Sequence, residues 1–242
     1  MPKLMGRKLA ATVVIFCLAI GSTLFLYSCG GGGGSSSGAT PPYIVAALMS
    51  VGTPIPNFKT GMVTVKNGSG GSDITNATVT MNGVPLVYNP ATGHTAYEGN
   101  VTVAPQGTVT VSVTIGDATY TASGTQYTTY PSIAAPFSGE MWSSSIPNTV
   151  QWSGGAPSAN SAYAFAVLDA ADPNGQLVWP FDNNIDVEPL STTSYSVPPL
   201  GSLNMGNRIV LVGIVKFVAI PNASSDSGLV IGGYNSVSIT VN

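Results

Sequence analysis

The residues of this chain that could do chemistry are few and scattered. One histidine, His94, lies in NPATGHTAYEG, a stretch made mostly of turn residues. A histidine base needs a nucleophile and an orienting acid within hydrogen-bond reach. Its neighbours in sequence supply neither, so His94 is expected to be an ordinary loop residue. GSSSG at 34–38 matches the G-x-S-x-G nucleophile pattern, but that serine works only on a strand-turn-helix elbow, which a Gly/Ser run cannot build. The chain contains neither a G-x-x-x-x-G-K-[ST] phosphate loop nor an H-E-x-x-H zinc helix. No catalytic residue and no cofactor are therefore expected, and the chain does not read as an enzyme.

Two acidic groups and a few aromatics are the remaining candidates. Asp169 and Asp172 sit in DAADPNG, and Asp182, Asp186 and Glu188 in FDNNIDVE. Loop carboxylates of this kind bind Ca²⁺, which takes six to eight oxygens. Their spacing misses the D-x-[DN]-x-[DN]-G loop, and turn chemistry already accounts for Asp-Pro-Asn-Gly, so they are calcium candidates and no metal is assigned. Trp179 and Phe181 are two apart and would share one face of a strand, where stacked sugars bind. Core packing is the competing use of such a face. Trp152 reads as core, and Trp142, in a serine-rich stretch, is the tryptophan expected to be exposed. Trp142 and Trp179 are the glycan candidates.

Charge and cysteine placement narrow the setting. Three of the seven cations, Lys3, Arg7 and Lys8, precede an apolar run. A chain starting at Cys29 keeps four cations against ten acids, a net charge of −6. Phosphate backbones and anionic headgroups would repel it, which excludes nucleic acid as a partner. Both cysteines, Cys17 and Cys29, lie within the first 29 residues, so the remainder must fold without disulfides.

Residues 1–28 have the parts of an export signal, namely a basic start, an apolar centre and a small residue, Ser28, before Cys29. The stretch 9–27 is also long enough to remain as an uncleaved anchor. Leu26-Tyr27-Ser28-Cys29 resembles the lipobox of bacterial lipoproteins. The resemblance implies cleavage before Cys29, diacylglycerol (palmitate-type chains) on its thiol and usually an amide-linked third chain. Several chains anchor a protein far better than one. Gly30 directly after the cysteine implies sorting to the outer membrane. Residues 29–42, with five consecutive glycines followed by serines, read as a tether that spans at most ~45 Å and averages about 20 Å.

Beyond Pro42 apolar and hydroxyl residues alternate at period two between Gly, Asn, Asp and Pro clusters. In 107–115, Val109, Val111, Val113 and Ile115 would face a core. A Gly116-Asp117 turn then pairs Val113 with Tyr120 and Val111 with Ala122, all inward. Asn82-Gly83 makes a second hairpin, matching Met81, Val79 and Ala77 to Val84, Leu86 and Tyr88, while Pro85 argues for a sheet edge. Residues 43–123 thus form a β-sandwich that resembles bacterial immunoglobulin-like modules, and 124–130 read as a linker. Residues 131–242 resemble a fibronectin type III domain. The features are a proline-bounded first strand, Val150 and Trp152 on the second, Tyr163, Phe165 and Val167 on the third, an apolar strand over 208–220 and a closing strand over 236–241.

The expected architecture is all-β, with two tandem sandwiches of immunoglobulin and fibronectin III type behind a signal peptide and a Gly/Ser tether. The expected function is non-enzymatic. A lipid-anchored protein of the cell envelope, outside the cytoplasm and facing an envelope protein or glycan, would bind or space other envelope components. The alternative is a carbohydrate-binding or calcium-dependent adhesion module.

Overall fold

The computed structural model describes residues 40–52, 59–90, 96–155, 157, 161–171, 177–179, 192–201 and 205–242. Among the described residues there is no α-helix, and the strands form a sandwich-like, all-β arrangement. Its simplest parts are hairpins whose turns the sequence dictates. β6 (Thr108–Ile115) and β7 (Ala118–Thr125) pair from Ile115↔Ala118 through Val113↔Tyr120 and Val111↔Ala122, with Gly116 at φ +57° on the first turn position. β3 (Thr78–Met81) and β4 (Val84–Asn89) turn at Asn82 and Gly83, both at positive φ, the conformation that selects Asn-Gly. The Asn82 side chain fastens this turn to β6, accepting from Thr110 N at 2.6 Å and donating to Thr108 O at 2.9 Å. Pro85 lies in the half of β4 that pairs only with β3, while residues 87–89 pair with β5 (Ala96–Gly99).

The longest elements are β14 (Gly206–Ala219) and β15 (Gly228–Val241), which pair over their whole length. In β14, Arg208 to Val215 are buried consecutively, without alternation. Such a run belongs to a strand covered on both faces. β11 (Ser161–Asp169) flanks β14 on one side, and β1 (Tyr43–Val51) flanks β15 on the other. β1 runs parallel to β15, from Val45↔Gly228 to Val51↔Tyr234, and antiparallel to β2 (Gly61–Lys66). The sheet continues through β5, β4, β3 and β6 to β7, and a smaller sheet of β13 (Ser194–Val197), β10 (Asn148–Ser153) and β8 (Ser132–Ala135) faces its other end.

One face of this sheet serves two cores. Leu229 and Ile231 of β15 join Ile44, Leu48, Val63, Met81 and Val111 in the first, while Ile239 and Val241 join Trp152, Phe165 and Val212 in the second. The opposite face buries Ala47, Met49, Ala164, Leu211, Val230 and Tyr234, among others. The 43–123 and 131–242 stretches therefore share one strand, because the closing strand, expected over 236–241, starts at Gly228. Glycines disguise that start as a turn. They are required by close approach: a Cβ on Gly232 would stand 2.6 Å from Ile214 O, and one on Gly233 would stand 2.1 Å from the Tyr130 ring.

Because Leu229 is fully buried in the first core although it lies on the last strand, Leu229→Ala is expected to lower the unfolding free energy by ~2–5 kcal/mol. Urea denaturation of the purified chain measures this, and a loss under about 0.5 kcal/mol, the usual range for surface changes, would contradict the shared strand.

Candidate functional site

Most residues singled out by sequence fall outside the described set: Cys29, His94, Asp172, Asp182, Asp186 and Glu188. Trp179 ends β12 (Leu177–Trp179), whose backbone pairs with β11 through Val167↔Trp179. Its side chain is likewise outside the described set. Asp169 is described, and it is engaged. It ends β11 opposite Arg208 of β14, lies 3.3 Å from Arg208 Nη1 and accepts a bond from Ala171 N at 2.9 Å. Arg208 is only 7 % exposed and also donates to Met205 O and Asn207 O. This carboxylate pairs with a buried guanidinium, whereas its acidic neighbourhood in sequence made it a calcium candidate.

Trp142 corrects an expectation. It is 2 % exposed, packed in the second core with Trp152 and Val241. The cause is β9 (Glu140–Trp142), which pairs in parallel with β15 so that Trp142 stands opposite inward-facing Val241. The neighbouring serines gave the opposite impression because they belong to the turn that follows. Trp152 is core as expected, edge-on to Tyr163 with ring centroids 5.5 Å apart.

The seam between the two cores, where a plain linker is expected, is hydrogen-bonded through buried and half-buried polar side chains. Gln126, 2 % exposed, donates to Ser50 Oγ at 2.9 Å and to Gly232 O at 3.1 Å. Its Oε1 accepts from Tyr127 N at 2.7 Å. Lys216 Nζ lies 4.8 Å from the Tyr127 ring centroid, a cation–π distance, and burial pulls its ammonium below the usual lysine value. Asn235 Nδ2 donates to Pro131 O at 2.7 Å. These bonds join the linker to β1 and β15.

The two ends of β15 differ sharply. At its start the incoming chain is locked down: Ile44 N donates to Ser227 Oγ at 2.9 Å and Ser224 N to Pro42 O at 2.9 Å. Tyr43 sits there too, its phenol pushed up to about 12 by burial and by the nearby Asp226 carboxylate. At the finish, roughly 43 Å away for a strand of this length, large apolar side chains stand in solvent. Phe137 is 74 % exposed, Met141 65 %, Ile146 58 % and Met205 51 %. Met141 is opposite Thr240, Gly206 after Met205 is opposite Val241, and Ser144 N bonds Asn242 O two residues before Ile146. The segments that carry these four side chains thus all lie beside residues 238–242, and this end of β15 is the candidate binding surface.

No protein family matches the sequence, and no curated protein matches it. Among solved structures, the chain is similar to fibronectin(III)-like modules of Clostridium thermocellum CbhA, at 10 % identity over 83 % of this chain and 94 % of that one, TM-score 0.24. It is also similar to domains 4 and 5 of the S-layer protein SbsC, at 14 % identity over 84 % and 98 %, TM-score 0.21. Superpositions this loose add nothing to the geometry described above.

The buried phenols give the fold a pH signature. Burial pushes Tyr127, like Tyr43, up to about 12. Below pH 10 these phenols are protonated in folded and unfolded chains alike. Between about pH 10 and 12 the unfolded chain ionises first, so it binds fewer protons and stability falls with rising pH. Urea midpoints measured from pH 9 to 11.5 should drop, and Tyr43→Phe/Tyr127→Phe should give a shallower drop. An unchanged slope in the double variant would contradict the assignment.

Proposed function

We propose that this chain is a non-enzymatic, lipid-anchored protein of the cell envelope, held by acyl chains on Cys29, that binds or spaces another envelope component through its far tip. Residues 29–42 are the tether, 43–123 and 131–242 the immunoglobulin-like and fibronectin III-like sandwiches, and the outer membrane the compartment that Gly30 implies. The observation that carries this reading is the polarity of β15. The tethered end is clamped by Ser224 and Ser227, and the exposed Phe137, Met141, Ile146 and Met205 lie at the opposite end. A sheet standing on its tethered end presents those side chains farthest from the membrane. Exposed apolar groups gathered at one place mark an interaction surface, and a partner protein is the class of occupant they suit.

A net charge of −6 beyond the signal keeps the body off an anionic headgroup layer, which suits a domain held away from the membrane by its tether. The aligned sandwiches add a roughly constant length to that stand-off, whatever the partner.

Mass spectrometry of the mature amino terminus tests the reading. The expected species begins at Cys29 and carries two or three acyl chains, and Cys29→Ser is expected to accumulate as uncut precursor. An unmodified Cys29 in an uncut chain would overturn it.

A further inference from the structure

We propose that β1 and β15 form a shear clamp, so that the sheet carries tensile load between the tether and the far tip. The clamp follows from strand direction. β1 begins where the tether ends, and it runs parallel to β15 over seven register pairs, Val45↔Gly228 to Val51↔Tyr234. A pull on the tether draws β1 toward its own start, and a pull at the tip draws β15 toward its own end. In a parallel pair these pulls oppose one another along the strand axis. Every backbone bond of the ladder is loaded together, and none can fail ahead of the others.

Each such bond is worth only about 1 kcal/mol net, so one-at-a-time failure would need little force. The geometry forbids that route. Ile44 N on Ser227 Oγ and Ser224 N on Pro42 O close the tethered end, and Gly52 N on Tyr234 O at 2.9 Å closes the other. Ile44, Ala46 and Leu48 are locked into the first core while Ala47 and Met49 are locked into the opposite face, so sliding β1 by one residue would put each set on the wrong side. β2 braces the outer edge of β1 over six register pairs, and β14 holds β15 over its full length. β9, parallel to β15 at Ile239–Val241, passes tip load into the same strand.

The clamp stands on register alone, whereas the arrival of load through the tether rests on the anchored reading. Forced unfolding is governed by the unfolding barrier along the pulled direction, so pulling direction is the test. The full-length chain, carrying Cys17→Ser and Cys29→Ser, takes one handle at Ser36→Cys on the tether. The second handle is placed either at Asn242→Cys, which loads the ladder in shear, or at exposed Ser225→Cys in the β14–β15 turn, which peels β1 from its start. In an optical trap, the 36/242 pair should resist to a force several-fold above the 36/225 pair. Equal forces, or a weaker 36/242 pair, would overturn the clamp. Neither result bears on lipidation, which the mass of the mature terminus decides separately.

Discussion

Everything in this fold depends on β15 being continuous. Its first half fills the core built by β1, β2, β3 and β6, and its second half fills the core built by β10, β11 and β14. A strand pleat cannot bend sharply without a bulge or a break, so one uninterrupted strand fixes the direction of both sandwiches at once. The seam confirms how little freedom is left. Gln126 is bonded to β1 and β15 together, and the Tyr130 ring occupies the space that a side chain at Gly233 would need. The two halves are held as beads on a rod, with the rod running through their cores.

How much of this was legible depended on whether the signal was local. The registers of the β6–β7 and β3–β4 hairpins were readable because two-residue turns fix them, although Val84, expected inward, is exposed and Tyr88 pairs with Tyr97 of β5 rather than with Ala77. β14 was readable as a long apolar run. The start of β15 was not, because Gly228, Gly232 and Gly233 carry the composition of a turn. What selects glycine there is a carbonyl of Ile214 and a ring of Tyr130, groups that are distant in sequence. The parallel pairing of β1 with β15 spans nearly the whole chain, and no local pattern encodes it.

The candidate site divides along the same line. Asp169 looked like half of an acidic loop because its neighbours are Asp172, Pro173 and Asn174. Its actual partner is Arg208, brought alongside by the β11–β14 register. A buried guanidinium without a carboxylate would be severely destabilising, so this pairing explains the acid without a ligand. Trp142 looked exposed among serines and is core, because a short parallel strand turns it inward. Phe137, Met141, Ile146 and Met205 are separated in sequence, and the pairing of β9 and β14 with the end of β15 brings their segments to one end of that strand, while exposed Val84 and Val87 lie apart on β4. Cys29 lies outside the described residues, and its reading as a lipid-attachment site stands on the sequence of residues 1–34 alone.

A strand that runs through both cores makes them one cooperative unit. Native-state hydrogen exchange on the intact chain tests it most directly, comparing Val79 and Val111 amides in the first core with Val150 and Val212 amides in the second. One opening free energy for all four is the predicted result. A first core that opens at distinctly lower free energy while the second stays protected would contradict it.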